Sequence, residues 1–102
     1  MYVLNYWHTV SDYTEWKKIF DSDPLGREAS GVRRVSIERP VDDEHTVIGE
    51  LEFDSLPEAE TFAGRLQEVW KNLGSQVVSD AGVRITEVLE QKQFGESARR
   101  AA

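Results

Sequence analysis

The chain has 102 residues, 39% of them hydrophobic and 30% charged, which is the size of one domain and the composition of a folded one. Nineteen acidic residues against twelve basic ones give a net charge of -7, a surface that repels phosphate backbones, so nucleic acid is excluded as a partner. Cysteine is absent, which removes a disulfide framework, a thiolate nucleophile and a zinc-thiolate site.

The chain opens on Met1-Tyr2-Val3-Leu4-Asn5, with no basic region and no long apolar run. Neither a signal peptide nor a membrane span is expected, and the cytoplasm is the default location. Tyr2 to His8 is apolar and aromatic and predicts a first strand. Its alternation leaves two options for the face turned to the core: Val3, Asn5 and Trp7, or Tyr2, Leu4, Tyr6 and His8. Asp12, with Glu15 three positions on, predicts a capped helix start. Tyr13, Trp16 and Phe20 then recur at helical spacing until Asp23-Pro24 stops the helix. Leu25 to Ser30 predicts a further helical turn, closed by Gly31.

Val32 to Arg39 reads as a half-buried strand, with Val35 and Ile37 alternating against Arg34, Ser36 and Glu38. After a polar turn over residues 40–44, Thr46 to Phe53 is a second strand of the same hairpin. It sets Val47, Gly49, Leu51 and Phe53 on one face, with Ile48, Glu50 and Glu52 on the other. Ser55 caps the next helix, Pro57 sits in its first turn and Glu58 completes the box. Ala59, Phe62, Ala63, Leu66, Val69, Trp70 and Leu73 form its apolar stripe, which ends near Gly74. Val83 to Phe94 reads as the last strand, and residues 95–102 as a frayed tail beyond a single domain over residues 1–94.

The order β-α-β-β-α-β is the split βαβ, or ferredoxin-like, arrangement of an α+β domain with an antiparallel four-stranded sheet. Right-handed crossovers put both helices on one face. The other face needs a second layer, because the first strand is apolar on both sides, and a two-fold copy of the chain is the commonest source. A homodimer is the expectation.

The segment His8-Thr9-Val10-Ser11-Asp12-Tyr13-Thr14-Glu15-Trp16-Lys17 resembles the His-x-Val-x-Asp-Tyr-x-x-Trp segment of small dimeric α+β barrel proteins. Gly31-Val32-Arg33-Arg34, Arg39-Pro40-Val41-Asp42-Asp43, Leu51-Glu52-Phe53-Asp54 and Glu58-Ala59 are similar to the same group, so the likeness covers roughly residues 2–93. The resemblance implies two sheets facing each other across a dimer, with a pocket in each protomer between sheet and helices. The superfamily includes antibiotic-biosynthesis monooxygenases that oxidise polycyclic phenols without a cofactor, haem-degrading monooxygenases, and many uncharacterised members.

His8 is a candidate base for a phenolic or enolic proton; the same residue could simply hydrogen-bond the strand-helix turn. Arg84 could stabilise a phenolate, or could equally be a solvated strand residue. Asn5, Trp7, Phe62 and Trp70 suit the lining of a planar apolar ligand, and equally suit core packing. His45, with Asp42, Asp43 and Glu44, lacks the alternating spacing of a calcium loop and reads as a solvated turn, so no metal site is expected. The haem-degrading relatives use an iron-binding histidine near the end of the second helix. No histidine occurs between Ser55 and Gly74, so no haem, and no other cofactor, is expected. Two functions stay open at this level: a cofactor-independent, monooxygenase-like enzyme acting on an apolar aromatic substrate, and a non-catalytic ligand-binding or assembly module.

Overall fold

The computed structural model describes residues 1–95. Its elements run β1 (Tyr2–Val10), α1 (Tyr13–Asp21), β2 (Val32–Glu38), β3 (Thr46–Phe53), α2 (Leu56–Leu73) and β4 (Val78–Glu87). The strands form one antiparallel sheet in the order β2-β3-β1-β4, the ferredoxin-like topology. β1 is central, flanked by β3 and β4, and one sheet face carries the helices.

The ambiguity in β1 is resolved by burial. Leu4, Tyr6, His8 and Val10 turn toward the helices and are buried, whereas Asn5 and Trp7 turn to the opposite, open face. β3 follows the expected alternation, with Val47, Leu51 and Phe53 almost fully buried beneath α2. Phe53 meets Phe62 of α2 at 5.6 Å between ring centroids. α1 is short, and its N-terminus is held by Asp12, whose Oδ1 accepts from the amides of Thr14 and Glu15. The reciprocal half of the expected box is absent, because Glu15 pairs with Lys18 instead. Ser55 Oγ accepts from the Glu58 amide at the start of α2, and Gly74 ends that helix at φ 82.

Residues 25–30 contain the expected single helical turn, with the Ser30 amide donating to Gly26 O at 2.9 Å, and Gly31 closes it at φ 99. β4 begins at Val78 and ends at Glu87, five residues before the expected start and seven before the expected end. Ser79-Asp80-Ala81-Gly82 has poor strand propensity, yet pairing with β1 overrides it. An extra residue is absorbed there, where Asp80 takes φ 53 and the register against Trp7 and Thr9 slips by one. The strand ends at Glu87, level with the start of β1. Tyr2 opposes Glu87, and the Val88 amide donates to Met1 O. Of the expected tail, residues 96–102 lie outside the described residues. No helix among the described residues is long and apolar enough to cross a membrane.

Each aromatic of the Tyr6-Trp7 pair lies across a glycine of the neighbouring strand. Gly49 opposes Tyr6 and Gly82 opposes Trp7, and a Cβ at either glycine would overlap the ring above it. Tyr6 is 3% exposed and packed against Trp70 and His8, so making room for a Cβ at Gly49 disturbs those contacts. Gly49→Ala is therefore expected to lower stability by about 1–3 kcal/mol, the usual range for overpacking a core. Urea denaturation checks this, and a change below about 0.5 kcal/mol would show that the ring rearranges freely.

Candidate functional site

Between the helix-bearing sheet face and the two helices lies a cavity with about 60 Å3 of free volume. Its sheet wall is Tyr6, His8 and Leu51; its helical walls include Trp16, Phe62 and Trp70. The turn after α1 completes it with Asp23 and Arg27, the two charged residues among the described lining. The lining is mostly apolar and aromatic with a few polar groups, the character of a small-molecule site.

His8 is the unusual member. It is 1% exposed, and neither ring nitrogen has a hydrogen-bond partner among the described residues. Three aromatic rings cage it: Tyr6 stacked at 5.6 Å and 18°, Trp16 tilted at 5.4 Å, and Trp70 edge-on at 5.5 Å. Such contacts favour a planar neutral ring but do not replace a hydrogen bond. Burial pushes the imidazole pKa down from 6.5 to about 4, so His8 is neutral at pH 7. An unsatisfied buried polar group costs roughly 1–3 kcal/mol, and a native protein that carries one calls for an explanation.

Tyr6 is buried beside it, with no hydrogen bond to its hydroxyl among the described residues. Burial lifts its pKa to about 12, against the opposing pull of the Arg27 charge. The hydroxyl thus stays protonated and can donate. Arg27 lies with its guanidinium 4.0 Å over the Phe20 ring, and Nη1 donates to Phe20 O at 2.9 Å.

Of the residues singled out in the sequence, the structure gathers His8, Phe62 and Trp70 around this cavity. It places Asn5, Trp7 and Arg84 on the other sheet face. There Asn5 Nδ2 donates to Thr86 Oγ1 at 3.1 Å and to the backbone oxygen of Arg84, which is exposed. A ligand in the cavity does not touch these three. His45 binds Val10 O through Nδ1 and lies in the hairpin turn. The Asp43 carboxylate in that turn accepts from Thr46 Oγ1 and the His45 amide, bonds that hold its pKa below the usual range. Tyr6, Trp16 and Arg27 are cavity residues that the sequence reading did not single out. The signal for Tyr6 was present, since it shares strand parity with His8; Arg27, in a single turn, carried none.

No family model matches the chain, and no curated protein matches it. Solved structures do. A candidate antibiotic biosynthesis monooxygenase from Deinococcus radiodurans aligns over 93% of this chain and 99% of its own, with a TM-score of 0.69 and 13% identity. A dimeric ferredoxin-like protein from an uncultured marine organism aligns over 92% and 100%, with a TM-score of 0.59 and 14% identity. A MhuD variant, described with two manganese protoporphyrin IX molecules in each active site, aligns over 92% and 100%, with a TM-score of 0.66 and 16% identity. At these identities the likeness is one of fold. The chain has the protomer fold shared by antibiotic-biosynthesis-monooxygenase-like and dimeric ferredoxin-like proteins. The residues present do not fit a haem, because α2 has no histidine to ligate the iron.

Proposed function

We propose that the protein is a homodimer that binds a small, largely apolar aromatic molecule in this cavity and oxidises it without a cofactor. The observation that carries the reading is His8, a neutral imidazole with two unpartnered nitrogens in the wall of an aromatic cavity. A hydroxylated aromatic supplies what the site lacks. Its ring packs against Trp16, Phe62 and Trp70, and its hydroxyl gives the imidazole a hydrogen bond. The likeness in fold to monooxygenase-like and dimeric proteins supports both halves of the reading.

The chemistry balances with molecular oxygen as the oxidant. His8 takes the phenolic proton, and the resulting phenolate is electron-rich enough to form a carbon-oxygen bond at a ring C–H position. Cleavage of the O–O bond then leaves one oxygen on the ring as a quinone carbonyl. The other departs as water, carrying the proton returned by the imidazolium and the one lost from the ring carbon. The substrate gives up four electrons, and oxygen accepts four. A low imidazole pKa makes His8 a weak base in the empty cavity, and the phenolate formed beside it stabilises the imidazolium as an ion pair.

Oxygen uptake with dihydroxynaphthalenes tests this. One mole of oxygen is expected per mole of substrate, and His8→Phe should abolish uptake while leaving the circular dichroism spectrum unchanged. Binding without oxygen uptake would instead identify a non-catalytic ligand-binding protein. Uptake that survives in His8→Phe would remove His8 from the mechanism.

A further inference from the structure

The polar groups of the cavity are unevenly placed. His8 and Tyr6 lie on the sheet, 1% and 3% exposed, and mark its closed end. Arg27 belongs to the turn between α1 and β2, and its side chain is 22% exposed, so it marks the solvent end. Between them the lining is aromatic and aliphatic. A ligand spanning the cavity meets a neutral hydrogen-bonding group at its inner end and a cation at its outer end.

The Arg27 guanidinium is held but not saturated. Stacking on Phe20 and the bond from Nη1 to Phe20 O fix its plane. Nε approaches Asp23 Oδ1 only at 3.5 Å, and that same oxygen accepts the Arg27 backbone amide at 2.9 Å. Nη2 has no partner among the described residues. A guanidinium carries five N–H donors in a rigid fork suited to a carboxylate, so donors remain for an incoming anion. The surrounding protein, at net charge -7, repels anions in general. Attraction at this one point therefore discriminates rather than merely collects.

Building on the cavity reading above, we propose that the ligand is a hydroxylated aromatic carboxylate. Its hydroxyl lies inward at His8 and Tyr6, and its carboxylate lies outward on Arg27, displacing the loose contact with Asp23. Arg27 is then a specificity-determining residue, absent from the chemistry but deciding which aromatics enter and in which orientation.

Two probes that differ only in the carboxylate test the proposal: 2-naphthol and 6-hydroxy-2-naphthoate, titrated calorimetrically into the full-length protein. The carboxylated probe should bind at least about tenfold tighter, the scale of one charge-assisted hydrogen-bonded pair. In Arg27→Gln the ratio of the two affinities should fall to near one, and Arg27→Lys should keep part of it. Without any variant, raising the salt from about 0.05 to about 0.5 M should shrink the ratio in the wild-type protein. Equal affinities in the wild type would overturn the proposal while leaving the cavity reading intact, as would a preference that survives Arg27→Gln. Failure of both probes to bind would sink the cavity reading and this proposal with it.

Discussion

Acidification from pH 7 to pH 4.5 is expected to lower the stability of the protein by about 2 kcal/mol through His8 alone, with about 1 kcal/mol already lost at pH 5.5. The imidazole pKa is 6.5 when unfolded and about 4 when folded. Between these values the unfolded chain binds a proton that the folded chain refuses, so unfolding gains free energy as the pH falls. Above pH 6.5 both states are neutral and the effect vanishes. Below about 4 both are charged, and the loss levels off near 3 kcal/mol. Carboxylates titrate over part of the same range, so the measurement is a difference. Urea unfolding of the wild type and of His8→Phe at pH 7, 5.5 and 4.5 isolates the histidine. Phenylalanine retains the stacking on Tyr6 and the edge contact with Trp70 but has nothing to protonate. The variant should be at least as stable as the wild type at pH 7, because it removes two unsatisfied nitrogens, and its stability should fall less on acidification. Parallel pH dependences in the two proteins would mean that water reaches the imidazole and that the cage is open.

The fold was legible in the sequence because each element had its own local cause. Ser55, Pro57 and Glu58 announced α2, and the alternation through β3 fixed which face lay inward. β4 was misjudged at both ends for opposite reasons. Its weak first half is held by partners on β1 far away in the chain, and the continuation to Phe94 pairs with no strand among the described residues, leaving Leu89 and Phe94 exposed. The site was half legible. A histidine at the end of an aromatic strand drew notice on chemistry alone. Asn5 and Trp7 drew it as well, and only the register of β1 separated them from His8. That register is a tertiary property. It depends on which of two apolar faces packs better under the helices, and glycines accommodate both, Gly49 beneath Tyr6 and Gly82 beneath Trp7. The Arg27 contacts depend on a single turn whose path follows from no periodicity.

The open sheet face leads to the second large effect, which concerns assembly. β1 places Val3, Asn5 and Trp7 on it, β3 adds Ile48, Glu50 and Glu52, and β2 and β4 add Arg34, Ser36, Arg84 and Thr86. This is a more polar surface than the aromatic strand alone suggested. Its polar groups are largely matched within the protomer: Arg34 pairs with the nearly buried Glu52, and the Asn5 amide is spent on Val3 O, Arg84 O and Thr86. Glu50, Ser36 and Arg84 stay hydrated there, and the apolar part of the face is Trp7 with Ile48. Trp7 is 41% exposed with its indole laid flat over Gly82, and Ile48 lies beside it in the ladder. A large side chain left in water forgoes about 1.5–3 kcal/mol, and a two-fold mate bringing its own Trp7 and Ile48 would recover that for both copies. Exposed charges at Glu38 and Arg84 would form the rim of such an interface. Light scattering at micromolar concentration should accordingly give twice the chain mass of 11.6 kDa. Trp7→Glu should reduce it to a single chain mass, because a carboxylate at the centre of the face would be buried without a partner, a loss of several kcal/mol. Trp7→Phe, which keeps the apolar ring over Gly82, should remain dimeric. A wild-type protein that scatters as a monomer, or a Trp7→Glu variant that stays dimeric, would show that this face is not where two copies meet.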